Sequence, residues 1–203
     1  MDSYQPNQDK QDRLSENRER FSKLKYVAEF MMELIRIVVI SLVIIIPVRY
    51  FLIQPFYVKG ASMEPNFFDN EYLVIDEVSY RFKEPQRGDI VVFRYPRDTK
   101  QFFIKRIIGL PGEKVEVKNG MVYIDGIHLD ETSYLDEFVK TTKEDVWILK
   151  SDEFFVMGDN RYASLDSRDF GPIKRHFIIG KTWIRGWPVD KITIFETPIY
   201  DFQ

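Results

Sequence analysis

The sequence predicts a mostly β, antiparallel domain carried behind one apolar helix that spans a membrane. Two observations lead there. The run from Ile37 to Val48 holds no charged residue and has no counterpart elsewhere in the chain. Beyond it, short segments rich in Val, Ile, Phe and Tyr alternate with Gly, Pro, Asn and Asp, with no long helical period among them.

Bulk composition limits the function. With 203 residues, 44% hydrophobic and 30% charged, the chain suits one sizeable folded domain plus a tail or anchor. A net charge of -3 lacks the basic excess of a nucleic-acid binder. The absence of cysteine removes disulfides, thiolate nucleophiles and Cys-based metal sites together. The two histidines, His128 and His176, have no partner at metal-ligand spacing, so no metal and no cofactor is expected. A Ser-His-Asp triad stays formally open, although both histidines read as surface or structural residues.

Residues 1–25 are polar and highly charged, which predicts a solvated tail, disordered or loosely helical. Residues 26–53 are the expected anchor. The charge-free run is short against the roughly 20 residues that a ~30 Å hydrocarbon core requires. Phe30 to Ile35 lengthen it upstream, and Tyr50 to Ile53 add an aromatic border downstream. Lys and Arg from Lys10 to Arg36 outnumber the Arg49 and Lys59 that follow closely, so the tail is expected in the cytoplasm. Residues 54–203 then lie outside. The tail is too long and acidic for a cleavable leader, and no small-residue cut site ends the run, so it is expected to stay.

Strands are expected at residues 72–75, 89–93, 102–108, 114–117, 121–124, 146–149, 153–157 and 178–184. Pro111-Gly112, Asn119-Gly120 and Asp125-Gly126 punctuate them, the last as a hairpin turn.

Three blocks carry chemistry. In Lys59-Gly60-Ala61-Ser62-Met63-Glu64-Pro65 a hydroxyl stands among small residues, just ahead of a proline. Such a serine is an ordinary turn residue unless a base lies elsewhere to take its proton. In Phe103-Ile104-Lys105-Arg106-Ile107-Ile108 strand alternation sets Lys105 on one face with Phe103 and Ile107. Desolvation there lowers an amine pKa toward neutrality and makes it a competent base, whereas an edge-strand lysine would only discourage aggregation. The block from Gly158 to Gly171 combines Asp159, Asp166 and Arg168 with Ser164 and Ser167 directly after an apolar strand. It reads as a solvated loop or as a structured polar network beside a site.

In this order the blocks resemble the bacterial type I signal peptidase family. Ser62-Met63-Glu64-Pro65 is similar to its serine box, Arg87-Gly88-Asp89-Ile90-Val91-Val92-Phe93 to its Gly-Asp strand box, and Ile104 to Gly112 to its lysine box. Gly158-Asp159-Asn160-Arg161 with Ser164, Asp166, Ser167 and Arg168 is similar to its last box. The resemblance spans about residues 28 to 190.

It implies a catalytic domain of coiled antiparallel sheets behind one transmembrane helix. The activity implied is a membrane-anchored serine endopeptidase that cuts signal peptides from exported preproteins after small residues. Ser62 would be the nucleophile and Lys105 the general base. Ser164 would orient the amine, and Asp159, Asp166 and Arg168 would support the site. The partners implied are preproteins and membrane lipid, with no nucleic acid and no metal. Phe56, Tyr57, Phe67 and Phe68 would rest on the membrane surface.

Gly60 stands where many members carry an oxyanion-assisting serine, which is the Gram-positive pattern and leaves the second oxyanion donor open. Asn66 replaces a common threonine. Two alternatives compete: a catalytically inactive, membrane-tethered binding module of the same fold, and the Ser-Lys autoproteolytic domain of repressor proteins. The apolar span and the acidic balance argue against the repressor domain.

Overall fold

The computed structural model describes residues 6–51, 54–195 and 197, with side chains from Arg18 onward apart from residues 19, 21, 47–54 and 196. The chain divides into two compact units after Arg49. The first is one helix, α1 (Pro6–Phe51). Pro6 occupies its first position, where the missing N–H costs nothing, and no Gly or Pro interrupts it from Asn7 to Ile46. The described part of the tail is therefore helical. Along the apolar run every side chain from Ile37 to Ile46 is exposed. Among the described residues no helix is long and apolar enough to cross a membrane. The side chains of the expected span's last seven positions, 47–53, lie outside the description.

The second unit is built of antiparallel strands, as expected. Its strands are β1 (Gln54–Tyr57), β2 (Tyr72–Asp76), β3 (Ile90–Tyr95), β4 (Asp98–Gly109), β5 (Lys114–Lys118) and β6 (Met121–Ile124), followed by β7 (Ile127–His128), β8 (Asp145–Ile148), β9 (Glu153–Met157), β10 (Ile173–Lys174), β11 (Ile178–Trp187) and β12 (Thr193–Ile194). One sheet runs β1-β2-β11-β3-β4-β9-β10, with β12 on β11, and a smaller one runs β7-β6-β5-β8. Register shifts in β11 and β4 supply the local twist that coils the larger sheet.

The expected hairpin turns form where φ must be positive. Asn119 and Gly120 join β5 to β6 at φ 54° and 78°, and Asp125 and Gly126 join β6 to β7 at 53° and 87°. The strands outside the expected set are β1, which carries Pro55, and β10 and β12, whose two residues are too few for a period-2 pattern to register. A short helix, α2 (Ser167–Phe170), is capped by the Asp166 side chain.

One core cluster positions the site. Met63 and Phe67, fully buried, pack with Val58, Leu73, Ile75, Ile90 and Val92 beneath the Ser62 turn. Their burial contributes about 1.5–3 kcal/mol each. Phe67 is thus a core residue and not part of a membrane-facing surface, while Tyr57 and Phe68 are exposed.

Candidate active site

Lys105 lies where β4 changes its surroundings. Toward its start β4 pairs with β3 alone; from Arg106 on, β9 covers its other edge. The lysine therefore leaves the sheet at the closed end of an open edge. Alternation does not divide this strand into buried and exposed faces, since Lys105, Arg106, Ile107 and Ile108 are all buried. The expected desolvation follows from cover on both faces.

Ser62 lies on the turn between β1 and β2, with its Oγ 2.7 Å from Lys105 Nζ. The ammonium also donates to Ile104 O at 2.8 Å and lies 5.4 Å from the centre of the Phe103 ring. Burial pushes the Lys105 pKa down to about 8, helped by Arg168 and opposed by the Asp166 and Asp159 carboxylates. An amine so placed is neutral in a useful fraction near neutral pH and touches a hydroxyl it can deprotonate.

The Ser62 turn is held from several sides. Asn160 N donates to Ser62 O and Asn160 Nδ2 to Ala61 O, each at 3.1 Å. Gly60 adopts φ +92°, which costs a non-glycine residue roughly 1–2 kcal/mol, so this backbone requires glycine there. Its N–H is taken by Asp69 Oδ1 at 2.7 Å. Gly60 is thus no second oxyanion donor, whereas the Ser62 N–H has no acceptor among the described residues.

The third block is a buried ion-pair lattice. Arg106 grips Asp159 with two bonds of 2.8 and 2.7 Å, and Arg168 grips Asp166 at 2.8 and 2.7 Å. Burial works to raise the Asp166 pKa, but Arg168 and the Gly158 N–H outweigh it and hold the carboxyl below its usual range. Arg161 is buried and paired with Glu131. Asn66 does more than bond locally: Nδ2 donates to Asp159 Oδ2 and Tyr134 O, both at 2.8 Å. Nothing in its neighbours in sequence signals that reach.

Removing one member of such a pair strands a buried charge and costs about 3–5 kcal/mol. Asp159→Ala is expected to lower Tm by roughly 10 °C, and adding Arg106→Met to recover much of the loss, as read by thermal melts. No recovery in the double variant would mean that the pair is not the unit that matters.

Ser164 joins this lattice without bonding to Lys105, whose acceptors are those named above. Its hydroxyl oxygen is buried beside Asp166 and lacks a well-formed hydrogen bond. It comes close to Ser62 across Gly158, where an added Cβ would lie 2.2 Å from Ser164 Oγ and 2.4 Å from Ser62 O. Ser62 and Lys105 line a cleft of about 610 Å³ walled by Phe56, Tyr57, Phe102, Ile104 and Leu165. His128 and His176 are exposed and neither lines it. Among the described residues no cluster could hold a metal ion.

A hydroxyl against a desolvated amine in an apolar-walled cleft is equipment for acyl transfer by a serine hydrolase whose base is lysine. A family model described as signal peptidase, peptidase S26, matches residues 31–187. A signal peptidase I from Leptolyngbya laminosa is 37% identical over 80% of this chain and 82% of its own. Signal peptidase I P from Bacillus subtilis subsp. natto is 32% identical over 85% and 97%. A crystal structure of a signal peptidase I from Enterococcus faecalis aligns at 35% identity over 49% of this chain and 97% of that one, with a TM-score of 0.43. The chain belongs to the S26 signal peptidase family and is, with it, a serine peptidase.

Proposed function

We propose that this chain is a membrane-anchored endopeptidase that removes signal peptides from exported preproteins, with Ser62 as nucleophile and Lys105 as general base. The observation that carries the dyad is the 2.7 Å contact between Ser62 Oγ and a lysine amine shifted to about pKa 8. As Oγ attacks the scissile carbonyl carbon, its proton passes to Lys105 Nζ. The Ser62 N–H faces the developing oxyanion. Lys105 then protonates the leaving amine, takes a proton from water, and that water releases the acyl group as the proton returns to Oγ. Asp159, Asp166 and Arg168 hold the frame, and Ser164 contributes to it beside Asp166 rather than by contact with the amine.

An extended peptide fits the cleft. On its cleft side β4 carries no partner strand before Arg106, so a substrate can pair there as an added strand. Small residues before the cut suit a wall of Phe and Ile side chains close to the nucleophile.

The anchor is residues 26–53, with residues 1–25 cytoplasmic and 54–203 outside. Exposed Ile and Val along residues 37–46 support this, since water tolerates so large an apolar surface poorly. The exposed aromatics Tyr57, Phe68, Tyr72 and Trp187 suit a lipid headgroup layer. Contact between intact Ser62 and Lys105 argues against the inactive binding module.

The test is cleavage, in detergent, of a fluorogenic peptide with an Ala-x-Ala site between about pH 6 and 10. The amine must be neutral to act, so the rate is expected to climb with pH along a limb near pH 8 and to vanish in Ser62→Ala. Full activity in Ser62→Ala would remove the nucleophile assignment, and a rate flat from acid to base would remove the lysine.

A further inference from the structure

Against the exit of the Ser62 turn lies an arginine in a sheet position that packing alone would give to an apolar residue. Arg185 of β11 stands opposite Leu73 of β2 and Thr193 of β12, and is 9% exposed. Its guanidinium lies 5.3 Å from the ring centres of both Phe67 and Phe195, whose own centres are 4.5 Å apart. Nη2 donates to Asn66 O, and Nε is 2.9 Å from Glu71 Oε2, a carboxylate 2% exposed.

Burying an arginine and a glutamate costs several kcal/mol of desolvation, which their attraction offsets only with good geometry. Here the Nε contact is not aligned as a hydrogen bond. The placement makes sense in terms of what the pair touches. Val58 N, at the entry to the Ser62 turn, donates to Glu71 O at 2.9 Å. Asn66 O, at its exit, accepts from Arg185. Between them Phe67 N donates to Met63 O at 2.9 Å, and Asn160 N holds Ser62 O from the far side.

We propose that Arg185, neutralised by Glu71 and seated against the Phe67–Phe195 ring pair, is a positioning residue. It fixes the exit of the nucleophile turn and, through it, the reach of Ser62 Oγ to Lys105 Nζ. The proposal rests on Ser62 being the nucleophile. It also gives Phe195 a supporting role, since its ring packs on Phe67 beside Arg185 and its N–H is tied to Trp183 O at 2.9 Å. A displacement of about 1 Å at a reacting group can cost on the order of 100-fold in rate.

The experiment uses the full chain in detergent and the Ala-x-Ala peptide, with kcat, KM and the folded fraction measured for each variant. Arg185→Met keeps the packing and removes the donor. Its kcat per folded molecule is expected to fall about 10- to 100-fold with KM nearly unchanged, because the cleft walls on β1 and β4 are untouched. Arg185→Lys, which keeps a charge and a donor, is expected to recover a large part of the loss. Phe195→Leu removes one ring of the pair that Arg185 rests against and is expected to lower kcat several-fold, also at constant KM. Should Arg185→Met fail to fold, these two variants carry the test. Wild-type kcat in a folded Arg185→Met or in Phe195→Leu overturns the proposal, as does a loss that merely tracks the unfolded fraction. Ser62→Ala in parallel separates the two readings: cleavage by it sinks the nucleophile assignment itself, whereas a dead Ser62→Ala beside a fully active Arg185→Met sinks only the clamp.

Discussion

Lys105→Met is expected to abolish cleavage and, at neutral pH, to make the folded domain more stable. The loss of rate follows from losing the base, an effect of about 10²–10⁴-fold or more. The gain follows from burial. The folded-state pKa is about 8 against 10.5 for an unperturbed lysine, so the unfolded chain holds this proton more tightly. Below pH 8 both states are protonated, and the fold bears the whole cost of the buried charge, about 3 kcal/mol for that difference. Between pH 8 and 10.5 the folded state gives up its proton first and the cost drains away; above 10.5 it is gone. Ser62 Oγ and Ile104 O lose a donor in the variant, which takes back about 1 kcal/mol. The net expectation is a Tm about 5 °C higher at pH 7, with no gain at pH 10.5. Thermal melts at the two pH values check it. A variant equally destabilised at both would mean that Lys105 is not held desolvated.

The second large effect is expected from Gly158→Ala. No unusual φ is involved, so the cost is one of space. The new methyl would lie 2.2 Å from Ser164 Oγ, 2.4 Å from the Ser62 carbonyl oxygen and 2.5 Å from Ser164 Cβ. Gly158 cannot retreat: its N–H is bound by Asp166 Oδ2 at 3.0 Å and its carbonyl by Arg161 Nε at 3.1 Å. The Ser62 backbone or the Ser164 side chain must move. A roughly 100-fold fall in kcat and about 1–3 kcal/mol of lost stability are expected. Kinetics corrected for folded fraction test this, and wild-type kcat in a folded variant would show that the close approach is unimportant.

Much of the fold could be read from residue order. Strands of four or more residues with alternating Val, Ile and Phe appear where their pattern places them, because half-burial imprints a period of two. Asn-Gly and Asp-Gly turns can be read because few residues tolerate positive φ. The two-residue strands β7, β10 and β12 carry no period at all. β1, with Pro55 inside it, is tolerable only as the edge strand that it is.

For the site, a hydroxyl among small residues and a lysine among apolar ones made Ser62 and Lys105 candidates within a few positions. Only the order of all the blocks, with the resemblance it carries, raised them above a turn serine and an edge-strand lysine. The pairings of the frame around them were not visible. Asn66 bonds to a residue 93 positions away, Arg106 to one 53 away, and Arg185 to a carbonyl 119 away. By itself, then, the sequence determined the β class, the hairpin turns and the apolar run of the expected anchor, because each leaves a signature within one turn or strand, while Ser62 and Lys105 stood out as reactive only when several blocks were taken together. Only the tertiary structure decided which charges pair, that Phe67 is core, that the Gly60 N–H is already committed, and that Lys105 is desolvated. Pairing and burial depend on which distant segments meet, and a side chain's neighbours in sequence hold no record of that.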